Sequence, residues 1–249
     1  MAFRSQKTIS AFVVFVFCGF AAAANPVTIE VRHRHLRKGE PGEMRIGESS
    51  ISFREIGKGE KNSREWAYDE IQQLYISADS VRILTYQGVD WKLGSDREYQ
   101  FDELPDGAAQ QVLDAVRAHM DARRLVAALP NSAMKPRWLI KAKRLEGRGS
   151  AEGILLFGED SIVFQSEERN ASRTWDFIQI ENVSSAGPFD LTITTYERSG
   201  ARFAGRRDFR FQLKTELSED RYNALWRRLN EPRLNHSSLT TDTKQKPDE

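Results

Sequence analysis

Hydrophobic and polar residues alternate through much of the chain, the period-two pattern of half-buried strands. Ser50-Ile51-Ser52-Phe53 and Leu191-Thr192-Ile193-Thr194 show it clearly. Gly47-Glu48-Ser49 and Gly158-Glu159-Asp160 lie between apolar pairs and predict tight hairpin turns. Glycine and polar clusters at 57–62, 88, 94–96, 187–188 and 205 punctuate the strands. The period then changes twice. Leu113, Val116 and Met120 have helical spacing, as do Tyr222, Leu225, Trp226 and Leu229, and Ser218 before Glu219-Asp220 predicts a helix start.

These blocks occur in duplicate. Ile46–Phe53 matches Phe157–Phe164 at an offset of 111, and Trp66–Ile71 matches Trp175–Ile180 at 109. Val81–Tyr86 matches Leu191–Tyr196, and Tyr99–Phe101 matches Phe209–Phe211, both at 110. The offsets drift only between blocks, where loops tolerate insertion. The pattern predicts two units, 27–123 and 136–231, each of six or seven antiparallel strands followed by one amphipathic helix. A linker is expected over 124–135, partly continuing the first helix through Leu125–Leu129, and a disordered polar tail over 232–249. Trp66 and Trp175 recur at equivalent places and are expected in the cores. Trp226 aligns with Val116 and is expected to plug its unit. Trp91 and Trp138 have no counterpart.

The first 24 residues stand apart. Arg4 and Lys7 precede an apolar run from Ile9 to Phe20, then Ala21–Ala24, the layout of a cleavable secretory signal. Cleavage after Ala24 predicts an exported chain, periplasmic or secreted. It removes Cys18, the single cysteine, so neither disulfides nor thiol chemistry are expected. A bulky Phe17 before Cys18 argues against lipidation. The signal takes two of the 37 basic side chains and none of the 36 acidic ones, leaving a net charge of −1. Such balance argues against a dedicated nucleic-acid binder, and no transmembrane span is expected after cleavage.

Two units of strands, a Trp-x-[Tyr/Phe]-x-x-Ile block in mid-sheet and one closing helix resemble tandem pleckstrin-homology-like domains of the bacterial and GRAM type. The resemblance covers nearly all of the chain after the signal. It implies a mostly β fold with two helices (α+β), two small barrels each capped by a helix, and binding of lipids, peptides or proteins without catalysis. Phosphoinositide-binding members carry a basic pair in the second strand, where this chain has Met44-Arg45-Ile46 and Leu155-Leu156-Phe157. That departure weakens an inositol-phosphate reading.

Candidate chemistry is sparse. Arg32 and Arg34 share one strand face, as do Lys141 and Lys143, and either pair suits an anionic headgroup or a solvated face. Arg144 and Trp138 lie in the same basic segment, where an indole beside cations suits a membrane interface or a contact between the units. His33 and His35 have chelating spacing but no third ligand nearby, so no metal is expected. Gly-x-Ser-x-Gly, His-Glu-x-x-His and phosphate-loop motifs are absent, and Gly147–Gly153 reads as a hairpin loop. No cofactor and no catalytic residue are expected. The sequence points to a non-enzymatic binding or scaffold module for a protein or peptide partner, with anionic lipid headgroups as the alternative.

Overall fold

In a computed structural model, the structure describes residues 26–34, 39–57, 63–90, 94–146, 149–168, 170–198 and 205–241. The signal segment, His35 and Trp91 lie outside them. The first half contains β1 (Val27–His33), β2 (Glu40–Ile46), β3 (Ser50–Glu55), β4 (Arg64–Ala67), β5 (Ile71–Ser77), β6 (Ser80–Gly88), β7 (Asp96–Asp102) and α1 (Ala108–Arg117). A 3-10 turn at Ala122–Arg124 leads into β8 (Leu125–Ala128). The second half repeats the order with β9 (Trp138–Glu146), β10 (Gly149–Phe157), β11 (Ser161–Gln165), β12 (Arg173–Asp176), β13 (Ile180–Ser184), β14 (Asp190–Arg198), β15 (Arg206–Leu213) and α2 (Glu219–Thr241).

The chain is mostly β with two helices, as the periodicity predicts. The two halves also agree in detail. Gly47 N–H donates to Ser50 O and Gly158 N–H to Ser161 O, each at 2.9 Å, closing the two equivalent hairpins. Trp66 packs 4.8 Å from the Tyr99 ring and 5.9 Å from Phe101. Trp175 packs 4.9 Å from Phe209 and 6.1 Å from Phe211. Gly42 and Gly153 are a further matched pair. A Cβ on Gly42 would lie 2.2 Å from the Phe53 ring, and one on Gly153 2.2 Å from Gln165 O and 2.8 Å from the Phe164 ring. Each glycine lets an aromatic ring cross the strand pair beneath it.

Each half keeps its own apolar core, but the halves are joined through their strands rather than set apart as two barrels. All strands belong to one open sheet in the order β13-β14-β15-β9-β10-β11-β12-β8-β5-β6-β7-β1-β2-β3-β4. The join is β8. Leu125–Ala128 is buried at every position, pairs in parallel with β5 and meets β12 antiparallel at Ala127 and Thr174. The helical continuation expected there is replaced by a strand because each face of this short apolar run is covered and both edges find a strand. Both halves run the same way along the sheet, so the strands equivalent to β12 and β5, namely β4 and β13, form its two ends.

The helices also differ in detail from expectation. α1 buries Ala108, Ala109, Val112, Leu113 and Val116. In α2, Leu225 and Leu229 enter the core, whereas Trp226 is 42% exposed. One residue on a helix turns the side chain by about 100°, so a one-residue error in aligning the helices moves Trp226 off the buried face. The backbone of α2 also continues through Pro232 to Thr241, where a disordered tail was expected. Proline removes one helical hydrogen bond, and the turns after Pro232 remain helical.

Candidate functional site

The two halves differ most where β8 lies. Arg64, Glu65, Trp66 and Glu70 are the counterparts of Arg173, Thr174, Trp175 and Gln179, at the offset of 109 found for the Trp block. Thr85, Tyr86, Gln87 and Tyr99 correspond to Thr195, Tyr196, Glu197 and Phe209 at 110. In the second half six of these positions (Arg173, Thr174, Trp175, Gln179, Thr195 and Glu197), with Arg123 and β8, line a space of only about 10 Å³. In the first half the same set lines an open groove of about 470 Å³ beside β4. One groove is filled by the chain and its twin is open.

Polar contacts hold β8 in the filled groove. Gln179 Nε2 donates to Ala122 O (2.9 Å) and Leu125 O (2.8 Å), while its Oε1 accepts from Asp176 N–H (2.9 Å). Thr174 Oγ1 donates to Leu129 O (2.7 Å) and accepts from Asn131 N–H (2.9 Å). Beneath them the buried Arg173 guanidinium donates to the buried Glu197 carboxylate, which also accepts from Arg207 at 2.6 Å. Arg173 lies 5.4 Å from the Tyr75 ring of the first half and 4.8 Å from Phe209. Burial pushes its pKa down, and Glu197 opposes that shift. Burial also raises the Asp176 carboxyl, against the opposing charge of Arg117. Across the join, Arg198 donates to Gln72 Oε1 and to Asp96 (2.6 Å), and Asn170 Nδ2 donates to Asp79 (3.2 Å).

In the open groove the same framework carries different side chains. Arg64 donates to the Tyr99 hydroxyl at 3.3 Å and lies 5.0 Å over its ring. Glu65 accepts from Ser50 Oγ at 2.5 Å, and Glu70 accepts from Ala67 N–H at 3.0 Å, as Gln179 does from Asp176. Tyr86 is 59% exposed at the rim. Nearby, burial pushes the Tyr68 hydroxyl up to about 12, and it donates to Gly47 O at 2.7 Å.

The residues singled out in the sequence do not converge on this groove. Arg32 pairs with Glu103 (2.9 Å) and Arg34 with Asp102 (2.8 Å). Lys141 is exposed on β9 and Lys143 is half-buried two residues on. Arg144 is buried and donates to Ala171 O at 2.6 Å, so it braces a loop. Trp138 stacks on Phe157 at 3.6 Å, with Arg221 of α2 5.5 Å over its ring. Both of these contacts lie within the second half. His33 is buried and stacked on Phe101 at 5.0 Å. Among the described residues no cluster of His, Cys, Asp or Glu forms a metal-binding group, and no helix is long and apolar enough to cross a membrane. Arg64, Glu65, Glu70 and Tyr86 belong to no recognisable motif in the sequence. Glu65 and Glu70 differ from their counterparts Thr174 and Gln179 inside an otherwise matching frame, whereas Arg64 and Tyr86 are identical to Arg173 and Tyr196 and carry no such signal.

No protein-family model and no curated protein matches the chain. Among solved structures it is similar to the C-terminal domain of an unknown protein from Leishmania infantum, with 14% identity over 39% of this chain and 86% of that one and a TM-score of 0.31. It is also similar to the Spt16D Pob3N heterodimer, with 16% identity over 77% of this chain and 98% of that one and a TM-score of 0.33.

Proposed function

We propose that the protein is an exported, non-enzymatic binding module that recognises a protein or peptide partner. In this reading the chain is a tandem pleckstrin-homology-like scaffold, and partners engage it by adding an extended segment to a sheet edge. Each half supports that reading with its order of seven strands and a closing helix. One observation carries the functional step: β8, itself an extended segment, is inserted between β12 and β5, and the equivalents of those two strands end the sheet. Main-chain hydrogen bonds give such strand addition its affinity, and side-chain pockets give it selectivity.

The test is an affinity pull-down with tagged residues 25–249 from cell-envelope extract, followed by cross-linking mass spectrometry. A partner recovered reproducibly, with cross-links to the sheet ends, is the expected result. Failure to recover any protein reproducibly contradicts the proposal.

A further inference from the structure

Resting on the protein-binding reading, we propose a specific site and occupant. The groove beside β4 receives an extended segment of a protein partner, antiparallel to β4, with small apolar side chains and at least one lysine or arginine. The geometry comes from the filled twin. There, the four-residue strand Leu125–Ala128 lies antiparallel to β12 and reduces the equivalent space to about 10 Å³. With 470 Å³ open beside β4, an added strand of similar length and side-chain size fits the first half in the same way. Trp66 forms part of an apolar wall for it, and the exposed Tyr86 an aromatic rim.

The basic character follows from the substitutions between the copies. Thr174 and Gln179 hold β8 through neutral hydrogen bonds, and the Arg173 charge is matched by Glu197. In the open groove, Glu65 and Glu70 replace the two neutral anchors and Gln87 replaces the buried acid. Arg64 lies against Tyr99. At the equivalent positions the open groove thus holds two carboxylates against one guanidinium, whereas the filled one holds one of each, Glu197 and Arg173. At position 70, the amide that donates to two backbone carbonyls in the second half gives way to a carboxylate, which only accepts. An occupant therefore does best with an ammonium or guanidinium at that point.

The probe is a synthetic peptide copying residues 122–131 (Ala-Arg-Arg-Leu-Val-Ala-Ala-Leu-Pro-Asn), added to the full chain after the signal. Hydrogen–deuterium exchange locates it, and fluorescence anisotropy gives its affinity. We expect new protection at residues 64–67, weaker binding as salt is raised, and at least tenfold weaker binding to Glu65→Gln/Glu70→Gln. Glu70→Gln installs the residue that the second half carries at 179, so the fold accommodates it. A control peptide with both arginines replaced by glutamate should bind at least tenfold more weakly. Protection at 180–184 alone, loss of protection at 125–128 through exchange with the chain's own strand, no binding, or equal affinity for the acidic peptide overturns the assignment. If the pull-down recovers a partner whose cross-links avoid residues 64–67 and 86–87, the general protein-binding reading survives and this site does not.

Discussion

Replacing Glu197 with glutamine copies into the second half what the first half carries at Gln87. The consequences should differ, because the surroundings differ. Arg64 is exposed beside an open groove, whereas the side chains of Arg173 and Glu197 are only 4% and 5% exposed under β8. Removing one member of a buried ion pair leaves an uncompensated charge and costs about 3–5 kcal/mol. Glutamine keeps the shape and one acceptor, which places Glu197→Gln near the lower figure. With a urea dependence of about 3 kcal/mol per M, the unfolding midpoint should fall by about 1 M. The reverse change in the first half, Gln87→Glu, should alter stability by less than about 1 kcal/mol, the scale of an exposed pair. Arg173→Met/Glu197→Leu removes both charges, and apolar replacements of similar volume should recover most of the loss. Urea unfolding followed by tryptophan fluorescence reads all three. A midpoint shift below about 0.2 M for Glu197→Gln, or a double variant worse than the single, would refute the claim that charge burial under β8 sets the cost.

Gly42→Ala forces a methyl group into the Phe53 ring and should cost about 2 kcal/mol, lowering Tm by roughly 4–8 °C in calorimetry; no change would mean that the ring moves aside. Leu225→Ala should cost about 2–4 kcal/mol, whereas Trp226→Ala should cost under about 1 kcal/mol, and the reverse ranking in thermal melts would contradict the helix orientation. Because Asp176 has its pKa raised in the folded chain, the native state holds that proton more tightly than the unfolded one. This contribution is therefore present below the ordinary carboxyl pKa and lost as pH rises through the raised value. Asp176→Asn should remove that decline in urea midpoints measured between pH 3.5 and 7, and parallel pH curves for the two proteins would show that Asp176 does not cause it.

Much of the local architecture was legible because it rests on periodicity. The hairpins at Gly47 and Gly158, the paired Trp66 and Trp175, and the start of α2 after Ser218 follow from short-range pattern and its repetition. The single sheet was not legible, since pairing between halves depends on β8, and Leu-Val-Ala-Ala is too short and too uniformly apolar to separate strand from helix. Trp226 was misplaced because one residue of alignment error matters on a helix and not in a loop. Arg144 and His33 looked like surface chemistry until the fold showed them buried, one bonded to Ala171 O and the other stacked on Phe101. The open groove is legible in part. Glu70 facing Gln179 and Gln87 facing Glu197 in aligned blocks marked a place where two copies of one frame meet different surroundings.

Amide exchange across residues 122–131, measured on the free protein, bears most directly on the join between the halves. With β5 on one side and β12 on the other, the β8 amides directed at those strands should be protected to a degree comparable with the ladders they enter, and protection should fall together in all three strands as denaturant is raised. Rapid exchange at 125–128 while β5 and β12 stay protected would mean a loose tether between two independent bodies, and the contrast between a filled and an open groove would be lost with it.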